Sequence, residues 1–339
     1  MRGIVRPRLL VGLCFLLGSS FLLAGCGGAS GGQGGGLTGK IAVEGSSTVQ
    51  PITQVASELF GQEEPNVKFE IGGAGTSDGF EAFCDAKTQI SDASRPIEIE
   101  ELSACEKSNV QFIEILVAYD GISIVVNKQN DWATDITSEE LKTMWEPAAQ
   151  DKITKWSQVR SSWPDRELSL FGPGTESGTF DFFTDKTNGE EDASRSDYQA
   201  SEDDNVLVQG VAGDENALGY FGYSYYETNK DKLKALALDG VKPSAETIKS
   251  GDYPLSRPLF IYVNIQDLKK NKALQQFVGY YVSSQNLDKI VEAAKYVTLP
   301  SNLEKAARTQ FQDRVTGSAF DGEGQPKGGD IVTAYGKMQ

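Results

Sequence analysis

The sequence predicts an α/β fold with mostly parallel sheets, on three observations. Short strand-like runs alternate with helical patterns from Lys40 to Val315, the signature of sheets covered by helices. The 339 residues exceed one ordinary core and point to two domains of about 150 residues. There is no internal repeat of 20–50 residues, so solenoids and propellers drop out.

The elements follow in order. Lys40–Val43 reads as a strand, and Pro51–Gly61 as a helix with Ile52, Val55, Ala56 and Leu59 on one face. Val67, Phe69 and Ile71 alternate in a second strand, and Gly79–Lys87 forms a short helix. Val110–Val117 and Gly121–Asn127 are two apolar strand segments. Thr137-Ser138-Glu139-Glu140 is a capping box opening a helix through Trp145. Leu168–Phe171 is a strand running into a helix over Gly174–Thr184. Leu259–Asn264 is a strand, Asn271–Val282 and Leu287–Ala294 are helical, and Lys305–Val315 is a weaker helix. Residues 316–339 are Gly-rich with few periodic apolar positions, so a loosely ordered tail is expected.

Residues 1–25 stand apart. Arg2, Arg6 and Arg8 precede an apolar run from Leu9 to Leu23, short for a membrane span and suited to a signal peptide. The run ends in Leu23-Ala24-Gly25-Cys26, which resembles the lipobox of bacterial lipoproteins, where the Cys is lipidated and becomes the N-terminus. Residues 26–36, rich in Gly, read as a flexible tether. Periplasm or cell surface, with a lipid anchor at Cys26, is therefore the expected location. Of the four cysteines, Cys14 falls in the signal and Cys26 is the lipid site, leaving Cys84 and Cys105. In an exported domain these most simply form one disulfide, with two buried thiols as the alternative.

Charge and composition exclude several functions. The chain carries 32 Lys+Arg against 48 Asp+Glu, a net charge of −16, and no histidine. Loss of the three signal arginines takes the remainder to −19. Nucleic acid binding needs clustered basic residues, so no nucleic acid partner is expected. Without His there is no Ser-His-Asp or Cys-His set and no His-ligated zinc or haem.

Three loops share one chemistry. Gly45-Ser46-Ser47-Thr48 precedes the helix near Pro51. The second, Gly72 to Gly79, contains Thr76, Ser77 and Asp78. The third runs from Gly172 to Thr179, through Thr175, Glu176, Ser177 and Gly178. Each sets small and hydroxyl residues at a helix N-terminus, where unpaired N–H groups and the dipole favour an anion. Each alone is explained by ordinary capping; together they describe an oxyanion site without fixed positive charge. None matches the Walker or Rossmann spacing, and Gly-x-Ser-x-Gly is absent. A fourth segment, Ser91-Asp92-Ala93-Ser94-Arg95-Pro96, brings both charges into one loop.

These phrases, with Ala217-Leu218-Gly219-Tyr220-Phe221-Gly222-Tyr223, resemble the periplasmic phosphate-binding proteins of the phosphate-specific ABC transporter, from about Gly39 to Val315. The likeness is greatest to the branch of cyanobacteria and Gram-positive bacteria. The resemblance implies a two-lobe, type II-like periplasmic-binding-protein fold with two hinge crossings and a ligand cleft. Lobe one would be 37–118 plus 258–315, and lobe two 119–257. It implies a monomer that binds inorganic phosphate and docks on an ABC permease and ATPase complex in the membrane, with no cofactor, no metal and no enzymatic activity.

Carried over by position, the first loop's hydroxyl and N–H fall on Ser47 and Thr48, and the second loop's Ser on Thr76 with Ser77 beside it. The acidic acceptor falls on Asp92, and the Ser-Gly-Thr triplet on Ser177, Gly178 and Thr179. Many members carry an Arg where this chain has Pro173, and Arg95 is the expected replacement, pairing with Asp92 and the ligand. An ionised Asp92 can only accept, so it pairs with a P–OH and repels sulfate, which has no proton to give. Two rival readings are a binding protein for another tetrahedral oxyanion such as sulfate or molybdate, and an extracytoplasmic phosphatase using Ser177 or Ser47. The first conflicts with Asp92; the second lacks any group to activate a nucleophile. A sensing role begins with the same binding event.

Overall fold

The computed structural model describes residues 36–175 and 177–338; the signal, Cys26 and most of the tether lie outside them. Two sets of strands share one nine-stranded sheet. The first set is β1 (Gly39–Gly45), β2 (Val67–Ile71) and β3 (Ile90–Ala93), with β1 parallel to both neighbours. Then comes β4 (Phe112–Asn127), followed by a two-residue β5 (Asp135–Ile136). The second set holds β6 (Ser169–Gly172), β7 (Gln199–Ala200), β8 (Ala217–Gly222) and β9 (Leu233–Ala235). β10 (Ala237–Leu238) pairs with β5 in a small separate sheet, and β11 (Ser256–Asn264) returns to the first set.

The order β2-β1-β3-β11-β4-β8-β6-β7, with β9 also on β4, makes β4 the common member. Residues 112–121 of β4 pair with β11, whereas 122–126 pair with β8. The two apolar runs read as separate strands are therefore one strand of 16 residues, all buried. The expectation of mostly parallel sheets is corrected to a mixed sheet. The chain leaves the first half along β4 and comes back along β11, so these two run antiparallel to each other, and β11 is antiparallel to β3 as well.

Helices fix the loops by burying aromatic faces. α1 (Gln50–Glu63) packs Ile52, Ala56 and Phe60 inward, and α2 (Thr76–Cys84) sets Phe80 against Tyr262 at 4.8 Å. Cys84 at the end of α2 is disulfide-bonded to Cys105 of α3 (Ile99–Lys107), the simpler of the two expectations. In the other half, Phe183 of the helix Gly178–Asn188 stacks on Tyr220 of β8 at 3.6 Å, with Trp145 edge-on to Tyr220 at 4.8 Å.

Residues 316–338, expected to be loosely ordered, pack onto the first half. Ser318, Ala319, Phe320, Ala334 and Tyr335 are buried, and the helix Ile331–Lys337 closes the segment. Their anchor is Glu114 of β4, whose carboxylate accepts from Ser318 Oγ (2.5 Å), Ala319 N (2.9 Å), Tyr262 OH (2.9 Å) and Tyr335 OH (3.2 Å). The Gly-rich composition hides this because the partner lies 204 residues away in the chain. A chain ending at Thr316 would remove three of these four donors to Glu114 together with the packing of Phe320 and Tyr335. We expect it to lose about 3–5 kcal/mol of stability, measured from urea unfolding midpoints against the intact chain.

Candidate functional site

Three strand ends bring the predicted loops together. β1 stops at Gly45, whose φ of +145° and whose position, with a Cβ that would lie 2.0 Å from the Asp92 carbonyl oxygen, admit only glycine. The first loop is then pinned by Ser46 N–H donating to the Asp92 carbonyl at 2.8 Å. The second loop is tied to the first by Gly75 N–H donating to the Gly45 carbonyl at 2.9 Å. The third loop ends at Ser177, whose hydroxyl accepts from Thr179 N–H (3.2 Å) and caps its own helix. Gly178 then comes so near the first loop that a Cβ would lie 2.2 Å from Thr48 Oγ1 and 2.6 Å from Ser47 Oγ.

Between them lies a cleft of about 950 Å³. Ser47, Thr48, Thr76, Ser77, Arg95 and Gly178 line it; Ser177, Thr179 and Asp92 do not. Thr76 Oγ1 shares a hydrogen bond with Ser94 Oγ at 3.1 Å, and Ser47 Oγ donates to Asp181 at 3.1 Å. Burial pushes Asp181 up to about 6 against the pull of that Ser47 bond.

Asp92 is fully buried behind the first loop. Its Oδ1 accepts from Thr53 Oγ1 at 2.9 Å, and its Oδ2 has no partner among the described residues. Burial pushes its carboxyl up to about 8; the Thr53 bond opposes this and nearby Glu44 adds to it. The expected Asp92–Arg95 pairing is not formed. Arg95 instead pairs with Glu98 (3.2 Å) and Glu101 (2.8 Å), carboxylates that follow it on the entry to α3, and donates to Ser77 Oγ (3.0 Å).

Sequence reasoning missed two cleft residues. Asp181 lies one turn into the third-loop helix, and Arg257 opens β11 in the phrase Ser256-Arg257-Pro258. A lone Arg at the start of an apolar strand was the available signal. Arg95, Lys186 and Arg257 are the lining cations, against six carboxylates: Asp78, Glu98, Asp181, Asp185, Glu191 and Asp192. An anion held here must rely on short-range donors, since the wider field opposes it. Among the described residues no group of three or more His, Cys, Asp or Glu is placed to hold a metal ion.

Two halves joined through a shared central strand, with Gly- and hydroxyl-bearing helix N-termini facing a common cleft, define a two-lobed α/β binding protein. Residues 30–285 match the model of the PBP superfamily domain. The chain is 43% identical over 288 residues to SphX of Synechocystis sp., covering 84% of this chain and 85% of that protein. It is 37% identical over 305 residues to the phosphate-binding protein PstS of Staphylococcus epidermidis, covering 88% and 91%. A crystal structure of a possible phosphate binding protein from Planctomyces limnophilus is 41% identical, with a TM-score of 0.77 over 82% of this chain and 99% of that one. The chain belongs to the PBP superfamily, in the group of periplasmic phosphate-binding proteins.

The burial of Asp92 has a measurable consequence. Its folded pKa lies above its ordinary 3.8, so between about pH 4 and about pH 8 the folded state binds more protons than the unfolded state. Stability from this group therefore falls as pH rises through that window. In Asp92→Asn the decline in melting temperature from pH 5 to pH 8 should be shallower than in the wild type, without ligand; an unchanged slope would refute the assignment.

Proposed function

We propose that the chain binds inorganic phosphate outside the cytoplasmic membrane and delivers it to an ABC permease and ATPase complex for import. The observation that carries this reading is the meeting of Ser47, Thr48, Thr76, Ser77 and Gly178, from three loops distant in sequence, on one cleft. The named PstS relative supports it. Phosphate would take hydroxyl protons from Ser47, Thr48, Thr76 and Ser77 and N–H groups from the first and third loops, with Ser177 capping the third-loop helix through Thr179 N–H. Arg95, saturated by Glu98 and Glu101, orients Ser77 in this scheme.

Asp92 would read the ligand's proton. Asp92 lies behind the first loop and off the cleft lining, so that loop must yield for a P–OH to reach Oδ2. The donor then supplies the hydrogen bond that oxygen lacks, and bonding to the charged form returns the carboxyl toward ionisation. Sulfate offers no such proton and leaves two acceptors facing each other. Lobe one (37–118 plus 258–315) and lobe two (119–257) would close on the ion, one contributing the first two loops and Asp92, the other the third loop. The protein would act as a monomer held at the membrane by lipid on Cys26, after removal of residues 1–25, with residues 26–36 as tether. It is a carrier in this reading and performs no chemistry on its ligand.

Calorimetric titration of the stripped protein tests this. Phosphate and arsenate should bind and sulfate should give no heat; sulfate binding as well as phosphate would overturn the reading. Asp92→Asn should keep phosphate binding while admitting sulfate as a competitor. For the anchor, cells fed a labelled fatty acid should label the wild-type chain and leave Cys26→Ser unlabelled.

A further inference from the structure

We propose that Arg257 is the guanidinium that grips the bound anion, with Asp120 as its positioning residue; this rests on the phosphate reading above. The two stand opposite each other in the β11–β4 register, where the chain crosses between halves. Arg257 Nε lies 3.3 Å from Asp120 Oδ2, and the exposures are 13% and 3%. The guanidinium lies over the Phe182 ring at 4.0 Å from its centroid. Its Nη2 donates to Thr48 Oγ1 (2.6 Å) and to the Gly178 carbonyl (2.9 Å). One planar group thus touches the first loop, the third loop and both crossing strands.

Its donor count separates it from the other cleft cations. A guanidinium has five N–H groups. In Arg95 each nitrogen is engaged: Nε by Glu98, Nη1 by Pro96 O and Glu101, Nη2 by Ser77 and Glu101. Lys186 pairs with Asp185 at 2.9 Å on an exposed face. Arg257 engages Nε and Nη2 only; Nη1 has no hydrogen-bond partner among the described residues, and the residue lines the cleft. It also forms an ion pair with one carboxylate where Arg95 forms ion pairs with two. Because Thr48 Oγ1 accepts from Arg257, its own proton is directed away from the guanidinium and can be given to the anion. Such charge-assisted bonds to a tetrahedral oxyanion are the strong ones, and the planar fork fixes their direction.

Phosphate titration of the intact protein and of Arg257→Lys, Arg257→Gln, Asp120→Asn and Arg257→Gln/Asp120→Asn tests the proposal, with ligand-free melting recorded for each. Arg257→Lys keeps a counter-charge for Asp120 but lacks the fork; it should lose about 10-fold in affinity, and Arg257→Gln about 100-fold. If Asp120 acts through Arg257, Asp120→Asn weakens binding in the wild type and adds nothing beside Arg257→Gln, a non-additivity that a purely structural role would not produce. Should Arg257→Gln fail to fold, Arg257→Lys decides. Wild-type binding with Arg257→Lys and every folded Gln variant within twofold of it would overturn the assignment of Arg257. Equal losses on Asp120→Asn in both backgrounds would overturn that of Asp120. Failure of the wild type itself to bind phosphate would instead sink the phosphate reading.

Discussion

The antiparallel pairing of β4 with β11 is the constraint from which the site's geometry follows. One strand of 16 buried residues belongs to both halves of the sheet, and its partner brings the chain back across the same line. A buried strand must satisfy every backbone group along its length, so neither strand can shift register without breaking the ladder on both sides. The loops that end β1 and β2 on one side and β6 on the other are therefore all referred to this one crossing. The ion pair Asp120–Arg257 sits on that crossing, where a small change in the relative placement of the halves is felt directly by both loops that Arg257 touches.

Around this frame the acidic balance of the chain loses its bearing on the ligand. The cleft lining is itself rich in carboxylates, yet it also carries Ser47, Thr48, Thr76 and Ser77 with their hydroxyls and Arg257 with its incompletely used guanidinium. Contact donors act at hydrogen-bond distance, and surface acids beyond about 8 Å are screened at physiological salt. Asp92 shows the same economy of means: it is kept out of water behind Ser46–Thr48, with one oxygen held by Thr53 and the other left without a bond. A buried acceptor in that state is costly for as long as nothing donates to it.

Local patterns carried much of the fold. Alternation in Val67–Ile71, the capping box at Thr137 and the apolar face of α1 are period-2 and period-3.6 signals that a linear reading detects. Three kinds of feature escaped it, two of them non-local and the third a local choice of partner. Val110–Val117 and Gly121–Asn127 form one strand because β11 pairs across the gap between them. The final segment is ordered because Glu114, far upstream, accepts four hydrogen bonds, three of them from Ser318, Ala319 and Tyr335. Arg95 takes Glu98 and Glu101 as partners because the turn into α3 brings them back to it, an arrangement no spacing rule predicts for Asp92 against Glu101.

What the sequence determined by itself is the chemistry of the parts: an exported, histidine-free α/β chain whose helix starts are built from Gly, Ser and Thr. Those properties depend on residue type and on neighbours within a turn or two, which is the range over which propensity, capping and charge act. Only the tertiary structure decided which parts meet. Gly178 reaches Thr48 across the cleft, Arg257 joins the loops from a strand that begins three residues before the Leu259–Asn264 read from sequence, and Asp92 turns to Thr53 and away from Arg95. Those contacts are set by sheet register and by close packing over long sequence separations. A partner's identity at that range is a property of the folded chain.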